Sequence, residues 1–164
     1  MAMKWNSGDR SDVPLPSLGG RTSKPDKIDR LSRVPLFEGF RRRELKVIAR
    51  HADIVDLPSK RVLARPGQLG LEFVVLLEGR AWVERRGQAV ARLAAGDCFG
   101  EKACLDRKPR ETRIVADTDV TVAVFPVSAF DYLLNAVPEL SHRILLRLCR
   151  RLDEDEEAVP NMSA

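Results

Sequence analysis

Apolar residues recur with two different periods along this chain, and the change of period divides it into helical ends and a middle of strands. Before residue 53, Ile28, Leu31 and Val34 lie three apart, a spacing that predicts a helix ended by Pro35. Further apolar positions predict a second helix over residues 45–52. After Pro126 the pattern is helical again.

Between these ends the apolar positions alternate, and turn residues interrupt them at short intervals. The alternation predicts strands at residues 53–57, 61–64, 72–77, 80–85, 88–93, 112–116 and 120–125. Gly79 and Gly87 are placed at hairpin tips. Short strands at this spacing predict an antiparallel β-roll of jelly-roll type. The fold class is therefore α+β and mainly β, with helices flanking the roll at both termini.

The last predicted helix is more apolar than packing against a single domain requires. A helix is predicted over residues 127–136, and Pro138 opens another that runs to about Leu152. In this helix the apolar residues cover about half of the circumference, whereas a stripe of about 100° suffices for one contact. The surplus indicates a bound base, a second subunit or both, and a fully packed core helix is the alternative. The basic residues of the other side, which we expect to be solvated, are Arg143, Arg147 and Arg150.

Length, charge and cysteine content narrow the class of protein. The 164 residues suit one domain at 27–152, with a disordered leader at 1–26 and an acidic disordered tail at 153–164. The net charge of +4 is compatible with nucleic acid or an acidic partner, but a solvated surface is the interpretation that we favour. Three cysteines give no disulfide framework and favour a reducing, cytoplasmic location. No apolar run reaches the ~20 residues of a membrane span.

One segment carries a candidate binding site. Phe99-Gly100-Glu101-Lys102-Ala103 suggests a short helical turn, and Arg110 follows nine residues after the glutamate. Free N–H groups at such a turn favour an anion, and a guanidinium can bind a phosphate through two hydrogen bonds. A carboxylate can accept hydrogen bonds from sugar hydroxyls. The segment therefore predicts a site for a phosphorylated sugar. Cys98 and Cys104 lie near this segment, but the two histidines of the chain are distant from them in sequence, so we expect no metal site.

These residues, with the glycine-punctuated run 65–79 and the segment 93–101, resemble the cyclic nucleotide-binding domain family, which includes catabolite activator proteins and protein kinase A regulatory subunits. The resemblance covers roughly residues 27–152. It implies that Glu101 accepts a ribose hydroxyl, that Arg110 neutralises the cyclic phosphate, and that amides around Gly100, Lys102 and Ala103 complete the anion site. The implied ligand is cAMP or cGMP, without a metal.

The sequence departs from the family pattern just after the motif arginine, where small residues are expected. Glu111 stands there, and a carboxylate ~4 Å from a phosphate costs about 4 kcal/mol at an effective dielectric constant near 20. If strand alternation turns Glu111 outward towards Arg113, Thr112 can supply the missing hydroxyl. Otherwise the domain binds no nucleotide, and Glu101 pairs with Arg110. Lys102 is a smaller departure from the family pattern, which usually has an apolar residue at this position.

The sequence thus predicts a stand-alone cyclic nucleotide sensor that signals through movement of its C-terminal helix. The alternative is a degenerate domain with a structural or protein-interaction role. No paired nucleophile and base, metal cluster or phosphate-binding Walker loop indicates an enzyme. The expected partners are the nucleotide and either an effector protein or a second copy bound through helix 138–152. DNA binding is not expected, because no helix-turn-helix follows that helix.

Overall fold

The computed structural model describes residues 24–158, which form two β-sheets and five α-helices. Before the sheets lie helix α1 (Lys24–Ser32), a short 3₁₀ helix (Pro35–Phe37) and helix α2 (Arg42–Arg50). The strands are β1 (Asp53–Leu57), β2 (Val62–Ala64), β3 (Glu72–Glu78), β4 (Arg80–Arg85), β5 (Gln88–Ala94), β6 (Cys98–Phe99), β7 (Arg113–Ala116) and β8 (Val120–Pro126). Helix α3 (Glu101–Asp106) interrupts them, and helices α4 (Val127–Ala136) and α5 (Pro138–Ala158) follow.

Each sheet has four strands, and the pairings between neighbouring strands are antiparallel. The first sheet has the order β1-β8-β3-β6 and the second the order β2-β7-β4-β5. Sequence neighbours β2 and β3 lie in different sheets, so the chain crosses between sheets as it does in a jelly roll. This arrangement confirms the predicted antiparallel roll flanked by helices.

The first sheet is buried on both faces, because its central strands β3 and β8 separate two apolar cores. Val74 and Leu76 of β3 face the second sheet and help to fill the roll. Phe73 and Val75 alternate with them and pack in the other core, which contains residues of α1, α2, α4 and α5. Because successive side chains of a strand point to opposite faces, the period of two in the sequence places the side chains of one strand in two cores. The helices are therefore fixed to the sheet that also carries β6.

The predicted strands agree with the structure to within one or two residues, but two short elements were not predicted. Strand β6 has two residues and the 3₁₀ helix has three, which is too short for either period to be visible. Helix α1 begins at Lys24, inside the predicted leader, whose residues 1–23 lie outside the described part of the chain.

The predicted end of the last helix near Leu152, with disorder after it, is wrong for residues 153–158. Helix α5 runs on to Ala158. Extending an existing helix costs little because each further residue adds one backbone hydrogen bond, and glutamate and alanine are good helix formers. Residues 159–164 of the predicted tail lie outside the described residues. Within the described chain, no helix combines the length and apolar character needed to cross a bilayer.

Truncation of Phe73 should test whether the core between the first sheet and the helices holds the helices to that sheet. The Phe73 ring lies 4.9 Å from the Phe130 ring and 5.7 Å from the Phe125 ring, centroid to centroid. We expect Phe73→Ala to lower the free energy of unfolding by about 3–5 kcal/mol, because it removes a fully packed aromatic side chain. Denaturant titration measures this. Val90→Ala, at a side chain 55% exposed, is the control and should change the stability little.

Candidate functional site

The candidate site is built on the turn between strand β6 and helix α3. Strand β6 is fixed to β3 by the register pairs Val74 with Phe99 and Val75 with Cys98. Gly100 then adopts a left-handed backbone conformation, with φ of +93°, and helix α3 begins at Glu101. This geometry confirms the helical turn expected from the sequence. We call residues 98–112 the cassette.

The side chain of Arg110 points into the domain and lies against β3 and β6. Its Nη2 donates a hydrogen bond to the carbonyl oxygen of Glu72 at 3.0 Å, and its Cζ lies 5.8 Å from the centroid of the Phe99 ring. Burial lowers the pKa of the Arg110 guanidinium from its very high ordinary value, but an arginine still remains a cation at neutral pH. Burial also raises the pKa of the Glu72 carboxyl, against the opposing effect of Arg110.

The backbone around Arg110 fixes the position of its loop. The N–H of Arg110 donates to the carbonyl oxygen of Gln68, and its own carbonyl oxygen accepts from the N–H of Gly67, both at 2.8 Å. The cassette is thus joined to the segment that precedes β3. A partly desolvated cation held in this way is suited to binding an anion.

Two glycines leave room for the Arg110 guanidinium. A Cβ atom at Gly100 would overlap the carbonyl oxygen of Glu72 and lie 3.2 Å from Nη1 of Arg110. A Cβ atom at Gly70 would overlap the side chain of Ala103 and lie 3.1 Å from Cζ of Arg110. In the sequence, Gly70 is only one of the glycines of the run 65–79. Its contact with the arginine comes from a loop more than thirty residues away, which no local pattern reveals.

Glu101 is fully buried, and its two carboxylate oxygens have different surroundings. Oε1 accepts hydrogen bonds from Nη1 of Arg151 at 2.6 Å and from Nε of Arg147 at 3.4 Å. Oε2 is shielded from solvent and has no hydrogen-bond partner within the described chain. The carboxylate is therefore charge-compensated on one oxygen, and its other oxygen is an unused acceptor.

Helix α5 supplies both of these arginines, so the expectation of a solvated basic face is wrong. Arg147 also donates from Nη2 to the carbonyl oxygen of Cys98 at 2.5 Å. One turn earlier, Arg143 donates to the carbonyl oxygen of Leu36 at 3.0 Å and stacks 4.5 Å above the Phe40 ring. Only Arg150 of the predicted stripe is exposed. The arginine stems are long enough to reach polar groups across the helix surface, which the helical period does not show.

The residues that depart from the family pattern lie at the outer side of the cassette. Glu111 is exposed, with 67% of its side chain accessible, and one of its carboxylate oxygens lies 3.6 Å from Nζ of Lys102. Its expected partner was Arg113, which instead pairs with Glu84 at 3.1 Å. The outward orientation that nucleotide binding requires is present, with a different partner. Thr112 is half-buried.

The pairing of Glu101 with Arg110 that we expected of a degenerate domain is also wrong. Each has other partners: Glu101 bonds with the arginines of α5, and Arg110 bonds with a β3 carbonyl. The two site residues therefore face different neighbours, with Gly100 adjacent to the guanidinium of Arg110.

The buried thiols of the cassette add no negative charge to this site. Burial raises the pKa of Cys98 to about 12 and that of Cys104 to about 11. Both thiols are therefore neutral near pH 7. Among the residues whose side chains are described, no group of three or more histidine, cysteine, aspartate or glutamate side chains is arranged to hold a metal ion.

Replacing Gly100 should test how closely the cassette fits around Arg110. Gly100→Ala combines a left-handed backbone with steric overlap, whereas Gly67→Ala has a similar φ of +82° and nothing within 4 Å. We expect Gly67→Ala to cost about 1–2 kcal/mol of unfolding free energy, and Gly100→Ala to cost about 1–3 kcal/mol more. Denaturant titration of both variants measures the difference. Equal losses would contradict the close packing described above.

Comparison with known proteins agrees with this geometry. The cyclic nucleotide-binding domain family matches residues 54–136. The cAMP-dependent protein kinase regulatory subunit of Aspergillus niger is 36% identical over 115 residues, which are 69% of this chain and 28% of that protein. This chain therefore corresponds to less than a third of that relative's length.

Solved structures show the same fold. The Thermus thermophilus catabolite activator protein superimposes with a TM-score of 0.69 and 26% identity, over 74% of this chain and 60% of that one. The regulatory domain of Toxoplasma gondii PKA, crystallised with cAMP, superimposes with a TM-score of 0.67 and 23% identity, over 80% and 50% of the two chains. The family match covers half of the sequence and includes strand β6, the cassette and the first sheet, so this chain belongs to the cyclic nucleotide-binding domain family.

Proposed function

We propose that this chain binds a cyclic nucleotide and transmits the binding event through helix α5. The observation that carries the proposal is the unused Oε2 of Glu101, a buried acceptor in the same short segment as the half-buried cation Arg110. A buried polar atom without a partner costs roughly 1–3 kcal/mol, and more when the group is charged. A ribose hydroxyl is a neutral donor, and its hydrogen bond to Oε2 removes this cost, whereas a phosphate is an anion that the carboxylate repels.

Arg110 is the group we assign to the cyclic phosphate. Its Nη2 already bonds to Glu72, so Nη1 and Nε are the donors assigned to the ligand. Helix α3 contributes further donors, because Cys104 is the first of its residues whose N–H bonds to a backbone carbonyl, that of Gly100 at 3.0 Å. The amides of Lys102 and Ala103 precede it. Because Glu111 faces outward, Thr112 is the nearby residue that we assign to supply a hydroxyl group to the phosphate.

The ligand we favour is cAMP, with cGMP as the comparison. The Aspergillus niger relative is described as cAMP-dependent, and the Toxoplasma gondii structure was determined with cAMP. The function proposed is regulatory binding rather than catalysis. The cytoplasmic location expected from the sequence stays a prediction.

Signalling through α5 follows from the covered position of Glu101. Because this side chain has no exposed surface, a ribose reaches it through an opening movement of the cassette or α5, after which α5 can dock again over the bound nucleotide. Nucleotide binding then shifts the population between two positions of α5, by no more than the difference in affinity of the two states. The downstream effector is a partner that reads the position of this helix.

The alternative is a domain that retains the fold and binds no nucleotide. The observation that favours it is that Arg110 and Oε1 of Glu101 already have partners within the protein. Such a domain would act as a structural or protein-interaction module.

A thermal-shift titration separates the two functions. A ligand at about 100 times its dissociation constant adds about 2.7 kcal/mol of stability, so cAMP should raise the melting temperature of the wild-type protein and cGMP is titrated in parallel. Arg110→Ala should abolish the shift, because it removes the cation assigned to the phosphate. Glu111→Ala is the matched control. Its exposed carboxylate is already paired with Lys102, so we expect affinity within about fivefold of wild type.

No shift at millimolar cAMP or cGMP would favour the degenerate domain. A large gain in affinity for Glu111→Ala would show that this carboxylate reaches the phosphate despite its outward position.

A second copy of the chain is the partner we propose for the exposed face of α5. Leu145, Cys149 and Leu152 are spaced four and three residues apart, and the two leucines are 60% and 64% exposed. This spacing is the one at which two helices pack side by side. A twofold axis would bring the same residues of two helices together, so the stripe can be its own complement. These are the surplus apolar residues noted in the sequence.

Sedimentation analysis checks this assembly. The wild-type protein should be a dimer at about 100 µM, a concentration that detects even weak association. Leu145→Glu/Leu152→Glu should be a monomer, because it places two charges in the shared stripe. Val90→Glu adds a charge to β5, at an exposed site outside α5, and should leave the dimer intact. A monomeric wild-type protein would contradict the proposal.

A further inference from the structure

The two contacts between α5 and Glu101 use only one of the two carboxylate oxygens. Arg151 and Arg147 both donate to Oε1, and neither donates to Oε2. The arginines therefore do not occupy the acceptor assigned above to the ribose hydroxyl.

A carboxylate with no exposed surface requires such cations. Removing one partner of a buried ion pair leaves an uncompensated charge, which the protein avoids by turning the carboxylate towards solvent or by admitting water to it. In either case the group loses its value as a fixed, charged acceptor for a hydroxyl. The ability of Glu101 to recognise a ribose thus depends on residues that need not touch the nucleotide.

We propose that Arg147 and Arg151 are positioning residues for ribose recognition, and that they couple the 2′-hydroxyl of a cyclic nucleotide to the docking of α5 on the cassette. This inference rests on the nucleotide-binding function proposed above. The coupling between the hydroxyl and the docking of α5 is positive, because the arginines and the hydroxyl use different oxygens of Glu101. By linkage, whatever α5 contributes to the affinity for the hydroxyl, the hydroxyl contributes equally to the docking of α5.

Arg151 is the better of the two positions for a test. Arg147 also bonds to the carbonyl oxygen of Cys98, so its removal would leave a second polar group without a partner. Arg151 reaches Glu101 from the surface, with 48% of its side chain exposed, and its replacement leaves the apolar core intact. Arg150 is its exposed neighbour on the same helix and serves as the matched control. Arg151→Lys keeps the charge and should restore part of the effect.

The experiment measures the dissociation constants of cAMP and 2′-deoxy-cAMP by calorimetry for the wild-type protein and these variants. A hydrogen bond to a charged group predicts that wild type prefers cAMP by about 10- to 150-fold. In Arg151→Ala this preference should fall by about three- to tenfold, mainly through weaker binding of cAMP. Arg150→Ala should keep the wild-type preference, and Arg151→Lys should lie between wild type and Arg151→Ala.

A second measurement reads the same coupling from the helix. In amide hydrogen exchange, cAMP should protect residues 144–152 more than saturating 2′-deoxy-cAMP does, and Arg151→Ala should remove that difference. Equal weakening of both nucleotides by Arg151→Ala would overturn the inference, since the arginine would then act on the phosphate or the fold. Tighter binding of cAMP by Arg151→Ala would overturn it as well, by showing competition.

The inference and the function on which it rests fail in different ways. If the wild-type protein binds both nucleotides with equal affinity, Glu101 does not recognise the hydroxyl, and the positioning role is overturned while nucleotide binding stands. If the wild-type protein binds neither nucleotide, both proposals are overturned.

Discussion

The buried carboxylate of Glu101 is the constraint on which the rest of the site depends. It has no exposed surface, so it must find its partners inside the protein, and it finds two of them on α5. That requirement joins the cassette to a helix whose first residue, Pro138, lies more than thirty positions after Glu101. Leu140 and Ile144 of α5 pack in the core between the first sheet and the helices and so fix the direction of the helix. The arginines extend the contact to the cassette.

Arg110 is held in a different way, because its partner is a backbone carbonyl group rather than a charged side chain. Its guanidinium lies between two glycines and bonds to a carbonyl oxygen of β3. Strand β3 is central in the first sheet, where it pairs with both β8 and β6. The arginine therefore bonds to a strand that is paired on both sides. Glu101, in contrast, is held between the roll and helix α5.

Two side chains of one short segment are thus held by different parts of the domain. In the function proposed above, the cation binds the phosphate, which carries the charge of a cyclic nucleotide. In the same proposal the carboxylate bonded to α5 binds the sugar, which links sugar binding to the helix. The departure from the family pattern at Glu111 leaves this arrangement unaffected, since its side chain lies outside and pairs with Lys102.

The amino-acid sequence is enough to predict the roll and its strands, and it makes Gly100, Glu101 and Arg110 the candidate site residues. These follow from local patterns: alternation of apolar residues, glycines at turns, and an acid and an arginine close together in the chain. The same local view could not reveal that Gly70 borders the guanidinium, or that the basic side of α5 is partly buried against the cassette. It also ended α5 at Leu152, because a run of like charges gives no measure of how far an established helix extends. The partners of each charge depend on the folded chain, because packing between distant segments brings them together and no spacing along the sequence does so.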